Sequence, residues 1–107
     1  LMLLDHRARQ KPVVVPFFGR PAACDRSAGV LARRVKAPLV FAACYRQEGP
    51  RPYRLVFSRV VLPEDLDGLD ASQVMGLVNR ETERLILACP EQYFWLHDRY
   101  KGLPRDL

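Results

Sequence analysis

With 107 residues, 49% hydrophobic and 27% charged, the chain can hold one modest core; it is neither a disordered segment nor a multidomain protein. No apolar run reaches the length of a membrane span, and the three scattered cysteines (Cys24, Cys44, Cys89) lack the spacing of a disulfide framework or a zinc site. The net charge is +5, and all 17 basic residues except Lys11, Lys36 and Lys101 are Arg, the side chain suited to bidentate contact with phosphate or carboxylate, so an anionic partner is expected.

In chain order, Leu1 to Leu4 reads as the end of a buried strand with Asp5 at its C-terminal edge, followed by a basic loop up to Pro12. Val13 to Phe18 is a continuous apolar run of the kind found in strands covered on both faces, and Pro16 forces an edge position or a bend. Gly19, Arg20 and Pro21 read as the turn after it. A helix begins near Asp25, a good N-cap, with Ala28, Leu31, Ala32 and Val35 on one stripe. Its small residues Ala28, Gly29 and Ala32 suit a close approach to a sheet, and Pro38 closes it. Leu39 to Tyr45 is the next strand. Strand, helix and strand predict a β-α-β unit whose two strands run parallel.

Gln47 to Pro52 is a turn cluster and Tyr53 to Leu62 a further strand, so the two strands flanking the turn predict an antiparallel hairpin. Tyr53, Leu55 and Phe57 share one face, and Arg59 interrupts the alternation, which predicts a bulge nearby. Asp70 with Gln73 three residues on forms a capping box. The helix it opens carries Val74, Leu77, Val78, Leu85 and Ile86 inward and runs to about Cys89. The expected architecture is α/β: a mixed β-sheet with a β-α-β unit, an antiparallel hairpin and C-terminal helices.

Two segments stand out chemically. In Val13 to Ala22, V-V-V-P-F-F-G-R-P-A, Gly19 permits positive φ or a close backbone approach, and Arg20 beside it can aim its fork at a phosphate or an oxyanion. In Pro90 to Lys101, P-E-Q-Y-F-W-L-H-D-R-Y-K, three consecutive aromatic residues must point in different directions, and ionisable residues bracket them. A metal site is not expected, because His6 and His97 lie far apart without carboxylate or thiolate neighbours at ligand spacing. No Gly-rich phosphate loop, dinucleotide fingerprint or nucleophile elbow is present, and no cofactor is expected.

The second segment resembles the C-terminal signature of the bacterial lipid A biosynthesis acyltransferases, the lauroyl and myristoyl transferases of the lysophospholipid acyltransferase superfamily. Pro90, Glu91, Gln92, Tyr93, Trp95, His97, Arg99, Tyr100 and Lys101 fit that signature, and Asp98 stands where an Arg is usual. Phe17-Phe18-Gly19 and the small-residue helix after it are similar to the family's F-F-G strand and the helix following it. Asp5 falls where the family carries an acidic element. The resemblance implies part of a glycerolipid acyltransferase-like fold. The activity implied is transfer of a fatty acyl group from acyl carrier protein or acyl-CoA to a hydroxyl of a glycolipid precursor, at the anionic cytoplasmic face of the bacterial inner membrane.

It also implies a catalytic H-x-x-x-x-D/E, in which the His acts as general base on the acceptor hydroxyl. His6 is followed by Lys11 and His97 by Gly102, so neither opens that motif, and no catalytic residue is expected within this chain. Because the sequence opens on Leu1 inside an apolar run, the expectation is the C-terminal part of one acyltransferase domain, truncated upstream of Leu1 and inactive alone. Asp5, Phe18, Gly19 and Arg20 are the expected substrate-side residues. Glu91, Trp95, His97 and Arg99 are expected as structural or head-group contacts. A rival class, a basic domain binding nucleic acid, predicts aromatics interleaved with Arg on one sheet face. Here the aromatics sit in apolar strands or the terminal block, so no nucleic-acid partner is expected.

Overall fold

A computed structural model describes residues 2, 12–96 and 98–103. The strand expected over residues 1–4, Asp5, His6 and His97 lie outside the described residues. The elements in order are β1 (Val13–Phe17), β2 (Arg20–Cys24), α1 (Arg26–Val35), β3 (Leu39–Arg46), β4 (Tyr53–Val61), a 3₁₀ turn (Pro63–Leu66), α2 (Ala71–Ala88) and a second 3₁₀ turn (Pro90–Gln92). The α/β class holds, with the strands arranged as two antiparallel hairpins, β1–β2 and β3–β4.

The expected β-α-β unit is not formed. β1 turns straight back into β2, and β1 and β3 lie in different sheets. The cause is the two-residue turn Phe18–Gly19, both at positive φ (51° and 76°), which reverses the chain with the twist that a tight hairpin needs. The residues expected to form a turn, Arg20 and Pro21, are the start of β2. Pro16 faces Pro21 across the ladder. Hydrogen-bonded and non-hydrogen-bonded rungs alternate in an antiparallel pair, so two facing prolines can share a rung that needs no N–H. Nor is β1 covered on both faces: Val15 and Phe17 are buried while Val14 is exposed.

The β3–β4 hairpin forms as expected, with a bulge where the register passes from Phe41↔Arg59 to Ala42↔Phe57, leaving Ser58 as the extra residue. Asp25 caps α1 by accepting the Ser27 N–H at 2.9 Å. Asp70 and Gln73 close a reciprocal capping box on α2, at 2.8 and 2.9 Å. The small residues of α1 serve a helix contact instead of a sheet contact. Ala28, Gly29 and Ala32 are buried, whereas Leu31 and Val35 of the expected stripe are exposed. A Cβ on Gly29 would stand 2.8 Å from the Ala71 carbonyl oxygen at the start of α2.

The core joins β1 and β2 to α2 and α1 through Val15, Phe17, Ala22, Val74, Met75 and Val78. Of the expected inward residues of α2, Val74, Val78 and Ile86 are buried. Between α1, α2 and the inner face of β3 runs an open apolar groove of about 630 Å³, with Leu31, Val35, Phe41 and Leu85 among its walls. The expected C-terminal helices reduce to α2 and one 3₁₀ turn: Pro90 stops α2, and the described residues after Gln92 contain no helix.

Candidate functional site

The two segments singled out in the sequence meet on one side of the β1–β2 hairpin. The Phe18 and Trp95 rings lie 5.5 Å apart between centroids, Phe17 and Phe18 pack edge to face at 4.7 Å, and Tyr93 packs edge to face on Trp95 at 4.8 Å. The Tyr100 hydroxyl donates to the Phe17 carbonyl at 2.8 Å. Consecutive aromatics can serve this cluster because the backbone past Gln92 is irregular, so Tyr93 and the half-exposed Trp95 turn toward Phe17 and Phe18 while Phe94 makes no ring contact with them.

Local bonds give the terminal block its shape. The Trp95 indole N–H donates to the Pro90 carbonyl at 2.7 Å, and Asp98 accepts the Tyr100 N–H at 2.9 Å, an Asx-type turn. Asp98, the departure from the family signature, therefore has a backbone-shaping role. The Gln92 amide accepts the Arg46 N–H at 2.7 Å and donates to the Arg46 carbonyl at 2.9 Å, tying the block to the end of β3. Glu91 is exposed on the turn between them.

Two residues of α2 brace the Phe18–Gly19 turn from below. Glu83 accepts the Phe18 N–H at 2.6 Å, a charge-assisted bond to a residue held in the left-handed region. Asn79, fully buried one helical turn earlier, donates to the Pro16 carbonyl at 3.0 Å and to the Cys24 sulfur at 3.1 Å. The sequence reading missed both. Their i, i+4 spacing on an otherwise apolar face was the only available signal.

Both expected arginines join the cluster, in opposite environments. Arg20 is exposed, its guanidinium carbon 4.1 Å from the centroid of the Tyr100 ring. Arg99 is only 1% exposed and lies 4.2 Å over the Phe17 ring. One of its terminal nitrogens is 3.5 Å from the Cys24 sulfur, while Nε, Nη1 and the neighbouring Asn79 Oδ1 have no hydrogen-bond partner. Burial pushes the Tyr100 phenol above its ordinary pKa; the Arg20 and Arg99 guanidiniums pull it down, and Tyr93 and Glu83 push it up.

A second polar group stands behind the β4 bulge. Glu81, 2% exposed, accepts the Ser58 hydroxyl at 2.9 Å and pairs with Arg84 at 3.4 Å and Arg59 at 3.9 Å. The bulge near Arg59 thus aims Ser58 at a buried carboxylate. Of the expected site residues, Phe18, Gly19, Arg20, Trp95 and Arg99 are brought together, whereas Asp5 and His97 lie outside the described residues. Among the described residues the cluster is a braced turn with one exposed guanidinium, that of Arg20, and no imidazole.

A sequence model of the family described as bacterial lipid A biosynthesis acyltransferase matches residues 1–102. The chain is 34% identical over 96 residues to the lipid A biosynthesis lauroyltransferase of Escherichia coli (strain K12), covering 89% of this chain and 31% of that protein. It is 32% identical over 92 residues to the lipid A biosynthesis palmitoleoyltransferase of the same organism, and likewise to a lipid A biosynthesis acyltransferase of Shigella flexneri. Those two matches cover 83% of this chain and 28% of each relative, so the chain spans less than a third of the length of these curated proteins.

Proposed function

The chain belongs to the bacterial lipid A biosynthesis acyltransferase family, and from that premise we propose that it forms the C-terminal part of an acyltransferase domain. The whole protein moves a fatty acyl group from acyl carrier protein or acyl-CoA to a hydroxyl of a lipid A-type glycolipid precursor. It works at the anionic cytoplasmic face of the inner membrane. The general base is the His of an H-x-x-x-x-D/E outside these 107 residues, and this piece alone does not turn over.

The observation that supports this reading is the convergence of Phe17-Phe18-Gly19 with Trp95, Arg99 and Tyr100, the two blocks that carry the family resemblance. In this reading the braced turn is the substrate-side wall. Arg20 reaches the acceptor head group, where a guanidinium suits phosphate, and Asp5 is assigned to the substrate by the family resemblance alone. Trp95 and Arg99 hold the wall in place, His97 is assigned as a further structural or head-group contact, and Glu91 is available to the head group. The arginine-rich surface adds attraction to an acidic carrier protein and to anionic lipid.

The test is acyl transfer by the full-length protein. Arg20→Ala should raise KM for the glycolipid about tenfold, the worth of one charge-assisted hydrogen bond, with kcat changed much less. An unchanged KM removes Arg20 from the site. Absence of an H-x-x-x-x-D/E in the coding sequence upstream of Leu1 removes the enzyme reading itself. No observation favours nucleic-acid binding. On β4 the exposed Tyr53 and Phe57 lie on one face, while Arg54 and Arg59 lie on the other, against Tyr45 and Glu81.

A further inference from the structure

The β3–β4 hairpin carries apolar side chains on both faces, with Arg54 and Arg59 on the inner one against Tyr45 and Glu81, although a two-stranded hairpin at a protein surface needs only one apolar face. Its inner face carries Leu39, Phe41, Ala43, Tyr45 and Val61 toward α2 and the groove beside it. Its outer face carries Val40, Ala42 and Cys44 from β3, opposite Val60, Phe57 and Leu55 of β4. Every one of these six is exposed, Leu55 at 59% and Phe57 at 65%. None is charged. The ionisable side chains of that face, Arg46 and Tyr53, lie together on the rung nearest the Gln47–Pro52 turn.

A continuous apolar patch of this kind is not ordinary monomer surface. Strands that are apolar on both sides are the pattern of a sheet sandwiched between two helical layers. α2 supplies one such layer, and no element among the described residues supplies the other. We propose that the outer face of β3–β4 is the seat of a second helical layer, contributed by the part of the same acyltransferase that this chain does not span. This rests on the reading of the chain as the C-terminal part of a longer domain, and it specifies how that domain is assembled. The spans agree, since over two-thirds of the lauroyltransferase lies beyond the 31% matched here. The patch's composition selects the occupant. A face seated on anionic lipid would mix Arg or Lys among its apolar residues, whereas a helix packing on a sheet wants a face without charge.

Cys44, exposed on the rung of the patch that pairs with Leu55, is a built-in probe. The experiment is alkylation of the full-length protein followed by peptide mapping, so that Cys44 is read separately from Cys24 and Cys89. Cys44 should react at least about tenfold more slowly in the native protein than in urea, at a rate independent of protein concentration and of added vesicles, because the covering layer is intramolecular. Reaction at the urea rate overturns the proposal. So does protection that appears only with phosphatidylethanolamine/phosphatidylglycerol vesicles, which would make the face a lipid surface, or only as protein concentration rises, which would make it a contact between copies. As a second measurement, Phe57→Ser should lower the Tm of the full-length protein by several degrees; no change counts against the proposal. Neither readout depends on acyl transfer, so loss of the catalytic reading and loss of this one are distinguishable.

Discussion

The Tyr100 hydroxyl closes on the Phe17 carbonyl at 2.8 Å across 83 residues of chain, and Arg99, its neighbour in sequence, lies over the Phe17 ring at 4.2 Å. One strand residue is thus gripped at its backbone and its side chain by consecutive residues of the terminal block. Tyr100→Phe removes the backbone bond and keeps the ring. It should cost about 1 kcal/mol in urea unfolding and leave the ring contacts in place.

The same variant carries a pH signature. The Tyr100 pKa is raised in the folded state, chiefly by burial, so its stabilisation is complete below the unfolded value of 10.0 and is lost as pH rises through the higher folded value. Tyr45, also raised by burial, acts in the same direction. Wild-type stability should therefore fall as pH rises above about 10, and Tyr100→Phe should flatten part of that slope. Urea midpoints across that range check it.

Arg99 separates stability from positioning. A buried guanidinium with Nε and Nη1 unpartnered carries an uncompensated desolvation cost, which an unbranched apolar side chain would not. Arg99→Met should leave unfolding free energy within about 1 kcal/mol of wild type or above it, whereas Arg99→Ala should lose about 3 kcal/mol through the cavity. In the full-length enzyme Arg99→Met should still lower acyl transfer, since the ring stack that positions Phe17 and the turn beyond it is altered.

The turn itself is sensitive to its brace. Glu83→Ala leaves the Phe18 N–H without its acceptor and should cost about 1 to 3 kcal/mol, while Glu83→Gln, which keeps an acceptor oxygen, should cost less. Gly19→Ala, at φ 76°, should cost about 1 kcal/mol from backbone conformation alone, because open space surrounds its Cβ position. Thermal melts of the three variants give the ordering.

Gly29→Ala decides between two opposed effects. Alanine gains about 1 kcal/mol of helix propensity over glycine. Its Cβ, however, would meet the Ala71 carbonyl at 2.8 Å, and that neighbour is backbone, which cannot turn aside. The clash should win, giving net destabilisation of about 1 to 3 kcal/mol by chemical unfolding.

What the sequence disclosed and what it hid follow from the range of each interaction. Asp25, and Asp70 with Gln73, act within four residues, so their caps were legible. The hairpin at Gln47–Pro52 and the bulge beside Arg59 were legible for the same reason. β2 was not: R-P-A-A-C has little β-propensity of its own, and it is a strand because the Phe18–Gly19 turn lays it on β1. The parallel crossover failed because that rule applies only to strands sharing a sheet. In the site, rare residue types at fixed spacing marked out the two blocks, while their packing against each other emerged only from the fold. Glu83 and Asn79 looked like ordinary helix polars because their partners are the Phe18 N–H and the Pro16 carbonyl, and main-chain atoms leave no trace in a sequence.

Gln92 has a consequence for how this fold meets other chains. Its carboxamide satisfies both main-chain groups of Arg46, doing for that residue what a peptide unit of an adjoining strand would do. Among the described residues β3 has a strand neighbour on one side alone, and its other border is plugged at the last rung, so an intruding polypeptide finds no donor or acceptor there to begin zipping onto. One side chain stands guard against runaway sheet extension at the turn end of β3.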